Sequence, residues 1–199
     1  SSYAFVYGSS WTQQAQLVVT DGSEADELGI SVDISGTTAI IGAPGDDDAA
    51  LNAGAAYIFL KTGSVWALQQ KILSNGGTAR ENFGFDVAVS GNVAVIGAPY
   101  ADDGFTNSGA VYVYTRSGVV WTKTVRFKLA SPAADDNFGW AVAIDLDTFA
   151  ASAPLDDNSV GADAGTVVVY DKAGGSWAVR STLTGGGGAA ADQTGHSLA

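Results

Sequence analysis

The chain has no cysteine, one histidine, 4 prolines, and only 9 lysines and arginines against 21 aspartates and glutamates. Each scarcity excludes something. Without cysteine there is no disulfide, so any stapling must come from packing, and no thiol nucleophile is available; the absence leaves the compartment open. A net charge of −12 lacks the basic stripe that a phosphate backbone requires, which argues against nucleic acid and against anionic membrane surfaces. Acidity of this degree favours solubility and the attraction of cations. No apolar run approaches the ~20 residues of a bilayer span, so no membrane insertion is expected. The chain also has no G-x-S-x-G motif, and its glycine run at 185–188 lacks the Lys-Ser/Thr of a phosphate loop, which makes it a connection between repeats. No carboxylate pair stands out as an acid and base. The expectation is that the protein is not an enzyme.

What is present is apolar, glycine-rich and repetitive. Hydrophobic residues make up 46%, with 26 glycines and 10% aromatics, a composition of short strands joined by turns. Pro44, Pro99 and Pro154 are 55 residues apart; Trp11, Trp66, Trp121 and Trp177 are spaced by 55, 55 and 56. Gly29, Gly84, Gly139 and Gly195 keep the same intervals, the extra residue falling in the loop at 157–165. Three markers in one register define a repeat of about 55 residues and a stacked architecture.

One repeat reads as four strands. "FGFDVAVSG" is a first strand, and "NVAVIGAP" is a second, apolar enough to be buried on both faces. Pro99 ends it by removing a ladder donor. "GAVYVYTRSG" is a third strand rich in β-branched and aromatic residues. In the fourth, "VVWTKTVRFKL", Val125, Phe127 and Leu129 alternate with Thr124, Arg126 and Lys128, predicting one buried and one wet face. Four strands per repeat with no amphipathic helix predict an all-β chain, specifically a β-propeller of four-stranded blades; a β-helix would use shorter repeats. The division expected is 1–20 as the third and fourth strands of a partial blade, then blades at 21–75, 76–130 and 131–186. Residues 187–199 would supply the first strand of the next.

Recurrence also assigns structural work to individual columns. Leu28, Phe83 and Phe138 should wedge between repeats, and the glycine after each should allow close approach or positive φ. Asp26, Glu81, Asp136 and Asp192, each three residues before that glycine, are expected to accept backbone N–H groups in turns. The single His196 shares a column with Ile30, Phe85 and Trp140 and is expected to pack.

"ENFGFDVAV…VIGAP", "DNFGWAVAI…ASAP" and "DELGISVDI…IIGAP" resemble the FG-GAP repeat, known from the propeller of integrin α-subunits. Ser152 replaces the glycine of one copy and Leu28 the phenylalanine of another. The resemblance covers nearly the whole chain and implies a propeller whose second-to-third-strand loops lie on a ligand-contacting face. It implies an extracellular or cell-surface location, and a protein or glycan ligand there. The family's calcium loop lies between the first and second strands. Here those positions hold "SGTT", "SGN" and "DLDT", too poor in oxygen for an ion that takes six to eight, so that site does not carry over.

The loop after Gly-Ala-Pro is acidic in every copy. Asp46, Asp47, Asp48, Asp102, Asp103, Asp156 and Asp157 are candidate ligands for a cation such as calcium, although adjacent acids do not match the alternation of a known calcium loop. Asp and Asn also build turns without metal, which is the leading expectation, and no cofactor is required. Asn52, Asn107 and Asp163 form a further polar column. Tyr100 and Phe105 are the large aromatics of these loops, so Tyr100, Asp102, Asp103, Phe105 and Asn107 are the candidate ligand contacts. The function expected is a non-catalytic structural or adhesion module; the alternatives are a carbohydrate- or cation-dependent binding module and an accessory propeller of a secreted enzyme. Because the chain opens in mid-repeat, it is expected to be a segment of a larger propeller or to pair head-to-tail with copies of itself.

Overall fold

Runs of β-branched and aromatic residues punctuated by glycine turns fold into strands throughout. A computed structural model describes residues 2–7, 10–74, 78–185 and 189–199. A hairpin, β1 (Ser2–Tyr7) and β2 (Trp11–Leu17), is followed by three four-stranded sheets. These are β3 (Val32–Ser35), β4 (Thr38–Ala43), β5 (Ala55–Thr62) and β6 (Val65–Leu73); β7 (Val87–Ser90), β8 (Val93–Ala98), β9 (Ala110–Ser117) and β10 (Val120–Phe127); and β11 (Val142–Asp145), β12 (Thr148–Ala153), β13 (Thr166–Ala173) and β14 (Ser176–Thr184). All pairing is antiparallel and in chain order. The one helical feature among the described residues is a 3-10 turn at Glu24–Asp26. The protein is all-β.

The second strands β4 and β8 are buried along their whole length, as their unbroken apolar sequence requires. The first strands are shorter than expected. Phe83 forms a single parallel bridge with Gly54 of the preceding repeat, residues 84–86 turn, and β7 begins only at Val87. Residues 189–199 likewise form turns and no strand. The column that opens a first strand at Val32, Val87 and Val142 falls at Leu198, so residues 189–197 correspond to the turns that precede the first strands of the other repeats. The expected connection at 185–188 lies, except for Gly185, outside the described residues.

Backbone contacts join each sheet to the next. Phe83 and Phe138, fully buried, donate their N–H groups to the carbonyls of Ala53 (3.0 Å) and Ser108 (3.2 Å) in the preceding repeat. At this junction a Cβ on Gly42 would lie 2.0 Å from the Gly84 carbonyl oxygen, and one on Gly97 the same distance from that of Gly139. Only glycine fits there. Side chains bridge the first strands where backbones do not. Ser31 donates to Asp86 at 2.6 Å, and Asp86 accepts the Val142 N–H at 2.7 Å. Asp33 accepts the Val89 N–H at 2.7 Å.

The expected alternation at 124–129 holds, with Val125, Phe127 and Leu129 packed and Thr124 and Lys128 exposed, but a bulge breaks it on the N-terminal side. Each fourth strand carries a one-residue bulge opposite the third strand, at Gln14, Gln69, Thr124 and Arg180. A bulge reverses the facing of every later residue. In β10, Trp121 therefore packs toward the preceding sheet, whereas Val125, Phe127 and Leu129 beyond the bulge pack toward the following one. Both faces are covered, and Arg126, expected to be wet, is half-buried. The bulged residue reaches the tryptophan of the next sheet: Gln14 accepts the Trp66 indole N–H at 3.2 Å, and Gln69 accepts that of Trp121 at 3.0 Å.

Candidate functional site

Each loop after Gly-Ala-Pro starts with a tight turn in which the N–H of Asp46, Ala101 or Asp156 returns to the alanine carbonyl three residues earlier. The next acid closes the loop. Asp47 accepts the Asn52 N–H at 2.6 Å, Asp102 that of Asn107 at 2.8 Å, and Asp157 that of Asp163 at 2.9 Å. Those three recipients are left-handed, at φ 50°, 51° and 49°, which Asn and Asp tolerate best. The carbonyls of the same residues then accept N–H groups from Asn82, Asn137 and Gln193 in the next repeat. The chain of cause runs from carboxylate to loop shape to junction. These acids build turns, and the turns join repeats.

The acids three residues before the lead-in glycine act alike. Asp26, Glu81, Asp136 and Asp192 each accept the N–H of the residue three earlier, at 2.5–2.9 Å.

Behind the loops lies a second layer of charge. In the first full sheet Asp46 is 1% exposed, accepts the Tyr57 hydroxyl at 2.9 Å and meets Lys71 Nζ at 2.7 Å. Lys71 also pairs with Asp48 at 2.5 Å and Asp21 at 3.1 Å. Burial alone would lower the Lys71 pKa, but hydrogen bonds to Asp46 and Asp48 outweigh it and hold the ammonium well above its ordinary value. The equivalent cation of the second sheet is Arg126. It pairs with Asp103 at 2.5 Å and donates to the Tyr112 hydroxyl at 3.0 Å, which in turn donates to Glu81. The third sheet keeps acids and loses the cation. Thr182 and Val168 replace the Lys/Arg and Tyr of the sister cross-strand pairs. There the Asp156 carboxylate takes the Thr166 hydroxyl at 2.5 Å. Burial pushes Asp156 and Asp136 up, and neighbouring carboxylates push the same way.

The seven acids considered as cation ligands are thus divided among three loops and several tasks. Asp46 and Asp48 hold an ammonium, Asp103 a guanidinium, Asp47, Asp102 and Asp157 hold backbone, and Asp156 holds a hydroxyl. Among the described residues no group of three or more His, Asp or Glu side chains has a metal-holding arrangement. Tyr100 is not a free contact residue. Its ring packs edge-on against Phe85 (6.1 Å) and Trp140 (6.5 Å) in a row that His196 extends, 5.7 Å from Trp140. Phe105 stands out at 52% exposure. Asn107 spends its amide on Asp135 at 2.7 Å.

Sequence reasoning missed Lys71, Arg126 and the bulged glutamines. A signal for the first two existed, since Tyr57 and Tyr112, and Lys71 and Arg126, are each 55 residues apart.

The fold and these junctions define an all-β repeat protein in which three four-stranded antiparallel sheets are joined through glycine-tight contacts. The FG-GAP repeat model matches residues 11–59, 66–114 and 121–170, and the chain belongs to the FG-GAP repeat family. Each matched segment runs from the tryptophan of one fourth strand to the third strand of the next sheet, so the family's repeat straddles the junctions just described. No curated protein matches the chain.

Proposed function

We propose that the three sheets are consecutive blades of a β-propeller and that the chain is a non-catalytic binding module of adhesive or structural type, acting outside the cell through the loops after Gly-Ala-Pro. The propeller reading is supported by the first strands, which lie side by side and exchange side-chain hydrogen bonds, with the fourth strands at the opposite edges of the sheets. Radial repetition about such a line is how propellers protect their sheet edges. The extracellular location rests on the resemblance to integrin-type propellers alone. The absence of catalysis is favoured by carboxylates already committed to backbone, hydroxyl and cation partners.

The observation that carries the binding role is Phe105. It is the large aromatic left open in these loops, and a rigid scaffold presents it. The test is binding of the immobilised protein to arrays of matrix proteins and of free glycans, with Phe105→Ala alongside. Saturable binding that Phe105→Ala removes, without change in melting temperature, supports the reading. Turnover of any arrayed glycan, or binding indifferent to Phe105, contradicts it.

A further inference from the structure

The cleft between the fourth strands of the second and third sheets differs from its counterpart one repeat earlier. In the earlier cleft Gln69 holds the Trp121 indole, and Gln70 bonds both backbone groups of Trp121, accepting at 2.8 Å and donating at 2.9 Å. Those positions are Thr124 and Val125 in the later one, too short and too apolar to bridge. Thr124 donates instead to Thr115 at 2.8 Å. The Trp177 indole N–H is consequently buried without a partner. Both clefts are large enough for a small ligand, about 730 Å³ in the earlier and about 480 Å³ in the later, so the later one is set apart by its lining and not by its size.

Three features of its lining point to one chemistry. Phe127, Tyr170 and Trp177 supply rings, with the Phe127 and Tyr170 centroids 4.4 Å apart. Tyr170, only 2% exposed, lines the cleft. Asp156 and Asp157 line one end, beside Val168 and Thr182. These last two occupy the places where the sister sheets carry Tyr57 with Lys71, and Tyr112 with Arg126. In both sisters the cation lies over the tyrosine ring, at 5.1 Å for Lys71 and 5.3 Å for Arg126, and meets an aspartate of the loop. The third sheet keeps the loop aspartate and has room where the cation and ring would be. Lys128 lines the same cleft but makes no ion pair among the described residues.

We propose that this cleft is a binding site for an alkylguanidinium or alkylammonium group, whose charge meets Asp156 and Asp157 while its stem lies against Phe127, Tyr170 and Trp177. The guest supplies in trans what Lys71 and Arg126 supply within their own sheets. Rings favour such a cation over a bare metal ion, because a desolvated cation is attracted to the ring faces. The site is separate from Phe105 and does not depend on the loop-binding role proposed above.

The test uses the whole chain and two probes: agmatine, and an acetylated, amidated tripeptide with central arginine. The Trp177 indole N–H resonance and tryptophan fluorescence report occupancy. Saturable shifts are expected with at least one probe. Agmatine binding as tightly as the peptide indicates a free amine ligand, and tighter peptide binding indicates a basic side chain. Asp156→Asn is expected to weaken binding by about ten-fold or more, the worth of a charge-assisted hydrogen bond. Thr182→Arg should restore the sister arrangement, abolish probe binding and raise the melting temperature, so the idea survives scrutiny even if Asp156→Asn fails to fold. The proposal is overturned by the absence of saturable shifts, by binding that Thr182→Arg leaves intact, or by a response to calcium chloride alone. Lys128→Ala removes a like charge from the lining and should tighten probe binding; a loss of binding in that variant would overturn the proposal equally.

Discussion

Replacing Lys71 by methionine keeps an unbranched side chain one atom shorter and removes the charge. Its consequence can be worked out partner by partner. Asp21 and Asp48 have side chains 42% and 57% exposed, and once released they are solvated by water at a cost within the ~0–1 kcal/mol of surface pairs. Asp46 is different, with a side chain only 2% exposed. It keeps the Tyr57 hydroxyl and the Asp48 N–H but loses its counter-charge. Removing one partner of a buried pair costs about 3–5 kcal/mol. Since the Lys71 side chain is itself 16% exposed, water can reach part of the site, and a loss near 3 kcal/mol is expected. Urea unfolding of wild type and Lys71→Met measures it. The double variant Lys71→Met, Asp46→Asn should recover most of the loss, because the stranded charge is gone. A single-variant loss under about 0.5 kcal/mol would refute the reasoning, placing the ion pair among ordinary surface contacts.

Trp121 is 2% exposed and joins two sheets, so Trp121→Ala is expected to lose roughly 3–5 kcal/mol in the same assay; full stability would contradict its packing role. For pH, Asp86, Asp136 and Asp156 have carboxyls raised above 3.8, by burial first. Such a group binds its proton more tightly in the folded state, so its stabilisation is present at low pH and lost as pH rises through the folded value. Their contribution to melting temperature should therefore grow as pH falls through their raised carboxyl range, and the gain should be smaller in Asp136→Asn; an identical pH dependence in wild type and Asp136→Asn would contradict it.

Columns that repeat in sequence were legible because they repeat in structure. The acid three residues before each glycine could be assigned from spacing alone, and each does hold the N–H three residues back. The close approach and positive φ at Gly84 and Gly139 were legible for the same reason. What sequence concealed was facing. A bulge at Thr124 changes no residue type, yet it sends Trp121 and Val125 to opposite neighbours, and Arg126, on the expected outer face, is half-buried by its contacts with Asp103 and Tyr112. The ring row around Tyr100 was not legible either, because its partners, Phe85 and Trp140, come from two different repeats. The acidic loops were ambiguous because the same residues can hold metal or backbone, and only hydrogen bonds distinguish the two uses.

Amide hydrogen exchange on Asp102→Ala tests most directly the claim that loop carboxylates hold the junctions between repeats. Asp102 shapes the loop at Asn107, whose carbonyl accepts the Asn137 N–H at 3.1 Å, and Phe138 follows on Ser108. The account predicts faster exchange in the variant at Asn107, Asn137 and Phe138 together, with wild-type rates unchanged by a calcium chelator. Acceleration confined to Asn107, or wild-type protection that collapses on chelation, would contradict it.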